Sequence, residues 1–335
     1  EDAEVDADPA TSEGIFVFTS SAPPAAAAVG NQVTVNGTVA EFVPSATPWT
    51  PPVTELVTPT VTLMSSGNSL PAATSIDSAM SGPSFPIDVL ERFEGMRVSV
   101  ADLDVVAPSD GNINESSGVV TSDHTFFGVI GGVARPFREP GVPSAEAAFY
   151  PGYAGPIFDQ NMERIRVRGR GQTGSALTFD VAVGDGITGL VGVMDVFAGN
   201  FTILPDPSST PVIVPGSNPS FARLPAGDEI TVAGANLLRF YDNINDGAGP
   251  NNGDTVASAT TYNNRLEKAA RVICQAMNAP DIIGTVEVEK KAVLDALAAK
   301  IDVIANSGCA TAPHYVAYLF EGNDIGAIDV GFLVK

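Results

Sequence analysis

The chain has 335 residues, a length that favours two domains with room for a substantial core. It has 17 Lys and Arg residues against 39 Asp and Glu, and the resulting net charge of -22 excludes a general basic surface for capturing nucleic acid. The sequence contains no run of about 18 apolar residues, so we expect no membrane span, and its first residues do not predict a signal peptide.

Residues 1–204 are predicted to form a β-rich domain. Gln32–Phe42 alternates apolar and polar side chains, as a half-buried strand does. Further short apolar segments follow, separated by spacers rich in Gly, Pro, Ser and Asn. The predicted strands are Gly14–Thr19, Gln32–Phe42, Glu55–Met64, Met96–Val106, Gly118–Val120, Phe126–Ile130, Arg164–Arg168, Leu177–Val183, Gly189–Phe197 and Phe201–Leu204.

The pattern changes after a segment rich in Pro and Ser. Residues 205–227 are predicted to be a semi-rigid linker, and residues 228–335 alternate β and α segments. Two stretches place their apolar residues on one helical face, at Arg265–Met277 and Val293–Ile301. The predicted strands between and after them are Ile282–Val286, Tyr315–Phe320 and Ile328–Val334.

Two polar residues stand at the ends of buried strands in this second region. Asn236 follows the apolar start of Ile230–Arg239, and Glu287 follows Ile282–Val286. We expect the amide and the carboxylate to converge on one divalent metal ion and one phosphate, because hard cations prefer oxygen ligands. On the residues alone, Asn236 is also compatible with an ordinary turn and Glu287 with a solvent-facing strand end.

Several motifs in this region together resemble a known superfamily. They are the strand that runs into Asn236-Leu-Leu-Arg-Phe240, Tyr262–Lys268, Pro280–Glu289 and Ile328–Val334. As a set they resemble the amino-terminal half of the endonuclease/exonuclease/phosphatase superfamily, the deoxyribonuclease-I-like fold, and in particular its bacterial extracellular nucleases. The resemblance implies that Asn236 orients the scissile phosphate or the attacking water, and that Glu287 ligates a catalytic Mg²⁺ or Ca²⁺.

The first region resembles the OB-fold-like domain that precedes the phosphoesterase in these nucleases. The matching segments are Thr11–Val17, Val35–Phe42, Leu90–Met96, Arg135–Gly141 and Glu163–Val167. The implied fold class is a β-rich OB-fold-like domain followed by an α/β half-domain of the four-layer sandwich type. The opening strands of the OB-like domain have no counterpart before Glu1.

The later catalytic motifs of this superfamily have no match in the chain. The superfamily's catalytic His, its Gly-Asp-Phe-Asn motif and its final Asp-His pair are missing, and His124 and His314 are the only histidines. We therefore expect a fragment, a processed form or a relative without the chemistry, so that the chain alone is catalytically incomplete. His314 is predicted to be a surface residue rather than the general base.

Cys274 and Cys309 are the only cysteines, and a disulfide between them is favoured over two buried free thiols. The bond would close a loop of about 35 residues and stabilise the fold by about 3 to 4 kcal/mol. With the acidity and the scarcity of Lys, it favours an extracellular, secreted bacterial protein.

Arg164, Arg166, Arg168 and Arg170 alternate along one predicted strand and, with Arg135 and Arg138, form the basic cluster of an acidic chain. The sequence favours pairing with carboxylates over contact with nucleic acid, and Phe126, Phe127 and Phe137 fit either base stacking or a core. Glu289 is expected to face water or to cap the next helix. Residues 242–254 are expected to be a solvated loop, because their spacing fails the calcium-loop pattern.

These observations predict metal-dependent phosphodiester hydrolysis of extracellular nucleic acid by the full-length parent, and DNA is favoured over RNA as the partner. The alternative is an extracellular structural or adhesive module that self-assembles through unpaired sheet edges.

Overall fold

The described residues form two compact units. The computed structural model describes residues 8, 10–43, 52–83, 85–134, 141–143, 146, 149, 151–155, 157–158, 161–197, 199–216, 222–245, 255–324 and 326–335. Unit 1 comprises residues 1–111 and 122–218, and unit 2 comprises residues 112–121 and 219–335. The division at 218/219 falls inside the segment predicted as a linker, and the short insertion 112–121 groups with the second unit.

Strands dominate both units. In chain order they are β1 Phe16–Phe18, β2 Gln32–Phe42, β3 Val53–Ser65, β4 Thr74–Ile76, β5 Arg97–Ala107, β6 Asn112–Ile113, β7 Val120–Thr121, β8 Thr125–Ile130, β9 Val142–Pro143, β10 Ile157–Phe158, β11 Ile165–Arg168, β12 Gly186–Phe197, β13 Asn200–Pro205, β14 Val212–Val214, β15 Val232–Phe240, β16 Ile282–Val288, β17 Val316–Leu319 and β18 Asp329–Val334. The helices are α1 Ala259–Arg271, α2 Lys291–Asp302 and α3 Ile304–Ser307, with a π-helical turn at Val272–Ala276 and 3₁₀ turns at Ala25–Ala27 and Glu91–Phe93.

Five strands of unit 1 close into a β-barrel. β5 pairs antiparallel with β8 and β12, β8 pairs antiparallel with β11, and β13 pairs antiparallel with β12. The barrel is completed by β11 and β13, which run parallel. Closure leaves these five strands with no free edge, and β4 and β14 extend the sheet beyond them.

The interior of the barrel follows from the period-two alternation of its strands. Leu190, Met194 and Val196 of β12 are buried in alternation with more exposed neighbours, and Phe126 of β8 and Phe201 of β13 are buried as well. Gly192 marks a close approach of two strands, because a Cβ there would lie 2.3 Å from the carbonyl oxygen of Leu204. Apolar side chains therefore fill the barrel.

One predicted strand of unit 1 is wrong. Residues 177–183 form no sheet ladder, although Phe179 and Val181 are buried in the core. The Ser109 hydroxyl donates to the carbonyl of Phe179 at 2.6 Å and accepts from the Val181 amide at 3.1 Å. A side chain thus satisfies backbone groups that a neighbouring strand would otherwise have to satisfy.

A second, three-stranded sheet of unit 1 has the order β1-β3-β2. β1 runs parallel to β3, and β2 pairs with β3 in an antiparallel ladder along nearly its whole length. The bounds predicted for β2 are confirmed. Several large apolar side chains of this sheet and the segment before it remain exposed, namely Ile15, Phe16, Phe18, Val39, Phe42, Leu63 and Met64.

Unit 2 is built around a four-stranded sheet of order β15-β16-β18-β17. β15 and β16 run parallel, whereas β18 is antiparallel to both β16 and β17. Ile283 and Leu333 of the sheet share a core with Leu294, Leu297 and Ile301 of α2. Side chains on the opposite face are exposed, including Val232, Val286, Val316, Tyr318 and Phe332. Within the described residues, helices therefore cover one face of this sheet only.

The predicted disulfide is confirmed. Cys274 in the π-helical turn is bonded to Cys309, which follows α3, over a sequence separation of 35 residues. Both cysteines are buried in the core of unit 2. Among the described residues, no helix combines the length and the apolarity needed to span a membrane.

We expect the double substitution Cys274→Ala/Cys309→Ala to lower the free energy of unfolding of unit 2 by about 3 to 4 kcal/mol, because the unfolded chain regains the entropy of an open loop. Chemical denaturation followed by circular dichroism measures the change. Reductant should destabilise the wild type to the same extent and leave the double variant unaffected. An equal response of both proteins to reductant would contradict a structural role for the bond.

Candidate functional site

The candidate site lies where the parallel strands β15 and β16 lose their regular register. The two strands pair in step from Val232 and Ile282 to Asn236 and Val286, and the ladder then shifts. Leu238, Arg239 and Glu287 adopt positive φ angles of 53°, 48° and 62°. Positive φ is uncommon for residues other than glycine, so both strand ends hold backbone strain at the same place.

The irregularity decides where Glu287 points. Ile283 and Thr285 are fully buried on the helix side of the sheet, and simple alternation would add Glu287 to that side. Instead Val288 is fully buried, which means that the strand gains one residue between Thr285 and Val288. Glu287 is thereby turned onto the face that carries Asn236.

The two predicted site residues meet directly. The Asn236 side-chain amide donates to Glu287 Oε1 at 2.8 Å, and the Arg239 backbone amide donates to Glu287 Oε2 at 3.0 Å. Asn236 Oδ1 in turn accepts from the Leu238 amide at 2.7 Å. The expected convergence of the amide and the carboxylate is therefore observed, and Asn236 also closes a local turn of its own.

Arg265 of α1 holds the strained end of β15 from the helix side. Its guanidinium donates to the carbonyls of Leu237 at 3.1 Å and Arg239 at 3.0 Å, and also to that of Leu238. The same group lies 4.9 Å from the centre of the Phe240 ring, and burial lowers its pKa. One side chain thus satisfies three consecutive carbonyls that have left the sheet ladder.

Arg239 lies beside Glu287 and has partners of its own. Its Nε is 2.9 Å from Glu115 Oε1, in the short hairpin between β6 and β7, and 3.4 Å from the Tyr241 hydroxyl. These side chains adjoin a groove of about 470 Å³ lined by the end of β15, by α1 and by Glu115. The lining of this groove therefore includes the polar residues Asn236, Arg265 and Glu115 and several apolar residues.

The donor set can be tested against a divalent cation. Each Glu287 oxygen accepts one hydrogen bond and keeps a further lone pair, so the carboxylate remains able to ligate a metal ion. Within the described residues no group of three or more His, Cys, Asp or Glu side chains is arranged to hold a metal. One carboxylate and one amide fit Mg²⁺ that keeps several waters and shares a phosphate, rather than an ion caged by protein.

The expectation that Glu289 faces water or caps a helix is wrong. Its side chain is buried, with Oε2 accepting from the Asp242 amide at 2.7 Å and Oε1 lying 3.2 Å from Lys290 Nζ. Lys290 also pairs with the Asp242 carboxylate at 3.0 Å. Glu289 follows the last residue of β16, so strand alternation does not set its direction, and its contacts with the Asp242 amide and Lys290 hold it inward. Asp242 is therefore a buried ion-pair partner, and 246–254 of the predicted loop lie outside the described residues.

The alternating arginines lie on the outside of the barrel and divide between two kinds of partner. Arg168 pairs with Asp123 at 2.7 Å, as the sequence favours. Arg166 and Arg168 both lie over the Phe197 ring, at 4.8 and 5.4 Å from its centre, and Arg164 lies 5.1 Å from that of Phe127. Arg170 is exposed beyond the strand.

The other predicted residues fall into three groups. Phe126 is fully buried and belongs to the core rather than to a stacking surface. His314 is exposed, and its Nδ1 lies 3.1 Å from Asp302 Oδ2. Arg135, Phe137 and Arg138 lie outside the described residues.

Residues 54–215 match the model of a family described as a domain of unknown function, DUF8508. The matched stretch covers slightly less than half of the chain and runs from β3 through β14, so it includes the whole barrel. No curated protein and no solved structure matches the chain. Asn236 and Glu287 lie beyond the matched stretch.

Replacing Glu287 by Ala should release the Arg239 amide. We expect that amide to exchange with solvent deuterium about ten times faster in Glu287→Ala, because a charge-assisted hydrogen bond of about 1.5 to 3 kcal/mol is removed. Amide exchange followed by NMR measures the effect, and Glu267→Ala on α1 is the matched control. Unchanged protection at Arg239 would contradict the geometry of the site.

Proposed function

We propose that this chain is the nucleic-acid-binding and metal-binding part of a metal-dependent phosphodiesterase that hydrolyses extracellular nucleic acid, with DNA favoured over RNA as the partner. The observation that supports it best is the contact between Asn236 and Glu287, 51 residues apart in sequence, through a side-chain hydrogen bond of 2.8 Å. Two strand irregularities and the half-buried Arg265 accompany this contact. Such an investment of strain is typical of functional sites.

The division of labour follows from the groups themselves. Glu287 would hold Mg²⁺ or Ca²⁺, and the bound cation would polarise the phosphoryl oxygens. The Asn236 amide would orient the phosphate while keeping Glu287 in place. Arg239 would contact the developing negative charge when its pairing with Glu115 is exchanged for the phosphate. By the resemblance, the base that activates water would lie outside this chain.

The proposal extends to the fold of each unit. The barrel would be of the OB type, which agrees with its five closed strands and its single parallel pair. Unit 2 would be half of a four-layer sandwich. The exposed apolar face formed by Val232, Val286, Val316, Tyr318 and Phe332 supports this, because a sheet with a parallel pair is normally covered on both faces.

The nucleic-acid partner is supported by local features rather than by overall charge. Arg166 and Arg168 stack on Phe197 at the surface of the barrel, a combination that suits contacts with phosphates and bases. The disulfide is typical of oxidising compartments, which agrees with a secreted bacterial protein.

The proposal is tested by DNA cleavage by the full-length parent protein in the presence of Mg²⁺. Glu287→Gln should lower the cleavage rate at least about 100-fold, more than the loss of an outer-shell partner of a metal. Glu267→Gln, a substitution on the surface of α1, should cleave like the wild type.

Two outcomes would contradict the proposal. Equal cleavage by Glu287→Gln and the wild type would remove Glu287 from the reaction. Turnover by the 335-residue chain alone would show that the base lies within this chain, contrary to the proposal.

A second candidate is an adhesive module that assembles with copies of itself. It is favoured by the exposed apolar face of the sheet in unit 2, whose outer strands β15 and β17 each have one unpaired edge within the described residues.

Light scattering across a hundredfold range of concentration tests this candidate. Assembly through the face predicts a mass that rises with concentration and returns to that of a monomer in Phe332→Lys, with Lys335→Glu as the surface control. A constant monomer mass in the wild type would contradict assembly and leave phosphodiester hydrolysis as the proposed function.

A further inference from the structure

A second pocket lies within unit 1, where the three-stranded sheet faces β12 and β13 of the barrel. Its volume is about 350 Å³, within the range of small-molecule sites. We name it the Glu94 pocket. Its wall is mainly apolar, and includes Val17, Val33, Val35, Val61, Met194 and Leu204.

Two acidic residues, Glu94 and Asp195, are among those that line the Glu94 pocket. The lining contains no Lys or Arg. Arg166 and Arg168 attract the charge of Asp195 from outside the pocket, but they stack on Phe197 and Arg168 is also paired with Asp123. The pocket therefore has an excess of negative charge in apolar surroundings.

Glu94 is the less satisfied of the two carboxylates. Its residue is 4% exposed, and the Thr54 amide reaches Oε2 only at 3.4 Å. Oε1 is enclosed and has no hydrogen-bond partner among the described residues. A buried carboxylate with so little hydrogen bonding is costly to keep charged, so a cation close to it would stabilise the charged form.

The electrostatics agree with this geometry. The pKa of Glu94 is raised to about 7, chiefly by burial and also by the neighbouring carboxylates of Glu91, Asp195 and Glu41, whereas the Thr54 hydrogen bond lowers it. Burial also raises the pKa of Asp195. Both groups would be stabilised in their charged form by a cation between them.

We propose that the Glu94 pocket binds a small amphiphilic amine, with its ammonium group at Glu94 and its alkyl or aryl body against the apolar wall. An anionic ligand would be repelled by two carboxylates. A neutral apolar ligand would cover the wall but leave Glu94 unpaired. A protonated amine with an apolar tail meets both requirements of the pocket.

The probe is n-octylammonium, with 1-octanol and octanoate as ligands of matched length, titrated by calorimetry below the concentration at which they aggregate. We expect saturable binding of one octylammonium per chain, weaker binding of octanol and none of octanoate. Glu94→Gln should weaken amine binding about 10- to 100-fold, the equivalent of one hydrogen bond to a charged group. Asp104→Asn, on an exposed part of β5, is the matched control.

A pH series separates recognition of charge from simple apolar burial. Octylammonium stays protonated throughout, so its affinity should fall between pH 8 and pH 5.5 as Glu94 takes up a proton. The fall should vanish in Glu94→Gln. If Glu94→Gln fails to give a wild-type melting curve, Asp195→Asn serves instead and should weaken amine binding without affecting octanol.

Three results would overturn the proposal. The first is equal affinity for the amine and the alcohol, which would make the pocket an apolar cavity without charge recognition. The second is equal loss of binding in Glu94→Gln and in the Asp104→Asn control. The third is the absence of saturable amine binding to the wild type at pH 8.

Discussion

The candidate site depends on a one-residue change of phase in β16. A regular strand would direct Glu287 toward the helices, beside Ile283 and Thr285, where a carboxylate would be desolvated and could not reach Asn236. The extra residue reverses this arrangement, and the matching irregularity in β15 brings the Arg239 amide to the same carboxylate. The Arg265 guanidinium then stabilises the end of β15 by donating hydrogen bonds to three backbone carbonyls. The backbone irregularities that hold strain are therefore the same ones that form the candidate site.

Sequence periodicity predicts the regular parts of this protein and fails where the backbone leaves its period. The strand Gln32–Phe42 is recovered to the residue because its alternation is unbroken and its partner β3 is adjacent in the chain. The disulfide is predictable because only two cysteines exist. Glu289 is mispredicted because its burial depends on the Asp242 amide and on Lys290, and strand alternation reveals neither contact. Leu177–Val183 has the composition of a strand, yet Ser109 takes the place of a partner strand.

The residues that sequence reasoning missed share one physical property, which is that their roles are set by distant partners. Arg265 follows the pattern of a polar helix position, and only the fold shows that three carbonyls converge on it. Glu94 and Asp195 are 101 positions apart, and neither stands out among 39 acidic residues. In a chain with so many acidic residues, the sequence alone does not distinguish the buried carboxylates from the exposed ones. The signal that distinguishes them is burial, which raises the pKa of Glu94, Asp195 and Glu289 but is compensated by a lysine only at Glu289.

The uncovered face of the sheet in unit 2 and the candidate site cannot be considered separately. Asn236 and Val286 are register partners in parallel strands, so their side chains share the face that also carries Phe332 and Tyr318. Glu287 joins that face through the extra residue. Any layer that covered the apolar side chains would exclude water around the Asn236 and Glu287 pair and lower the local dielectric constant. Because electrostatic interactions strengthen as water is excluded, the same layer would increase the attraction of Glu287 for a cation. Covering the sheet would thus also change the electrostatics of the candidate site.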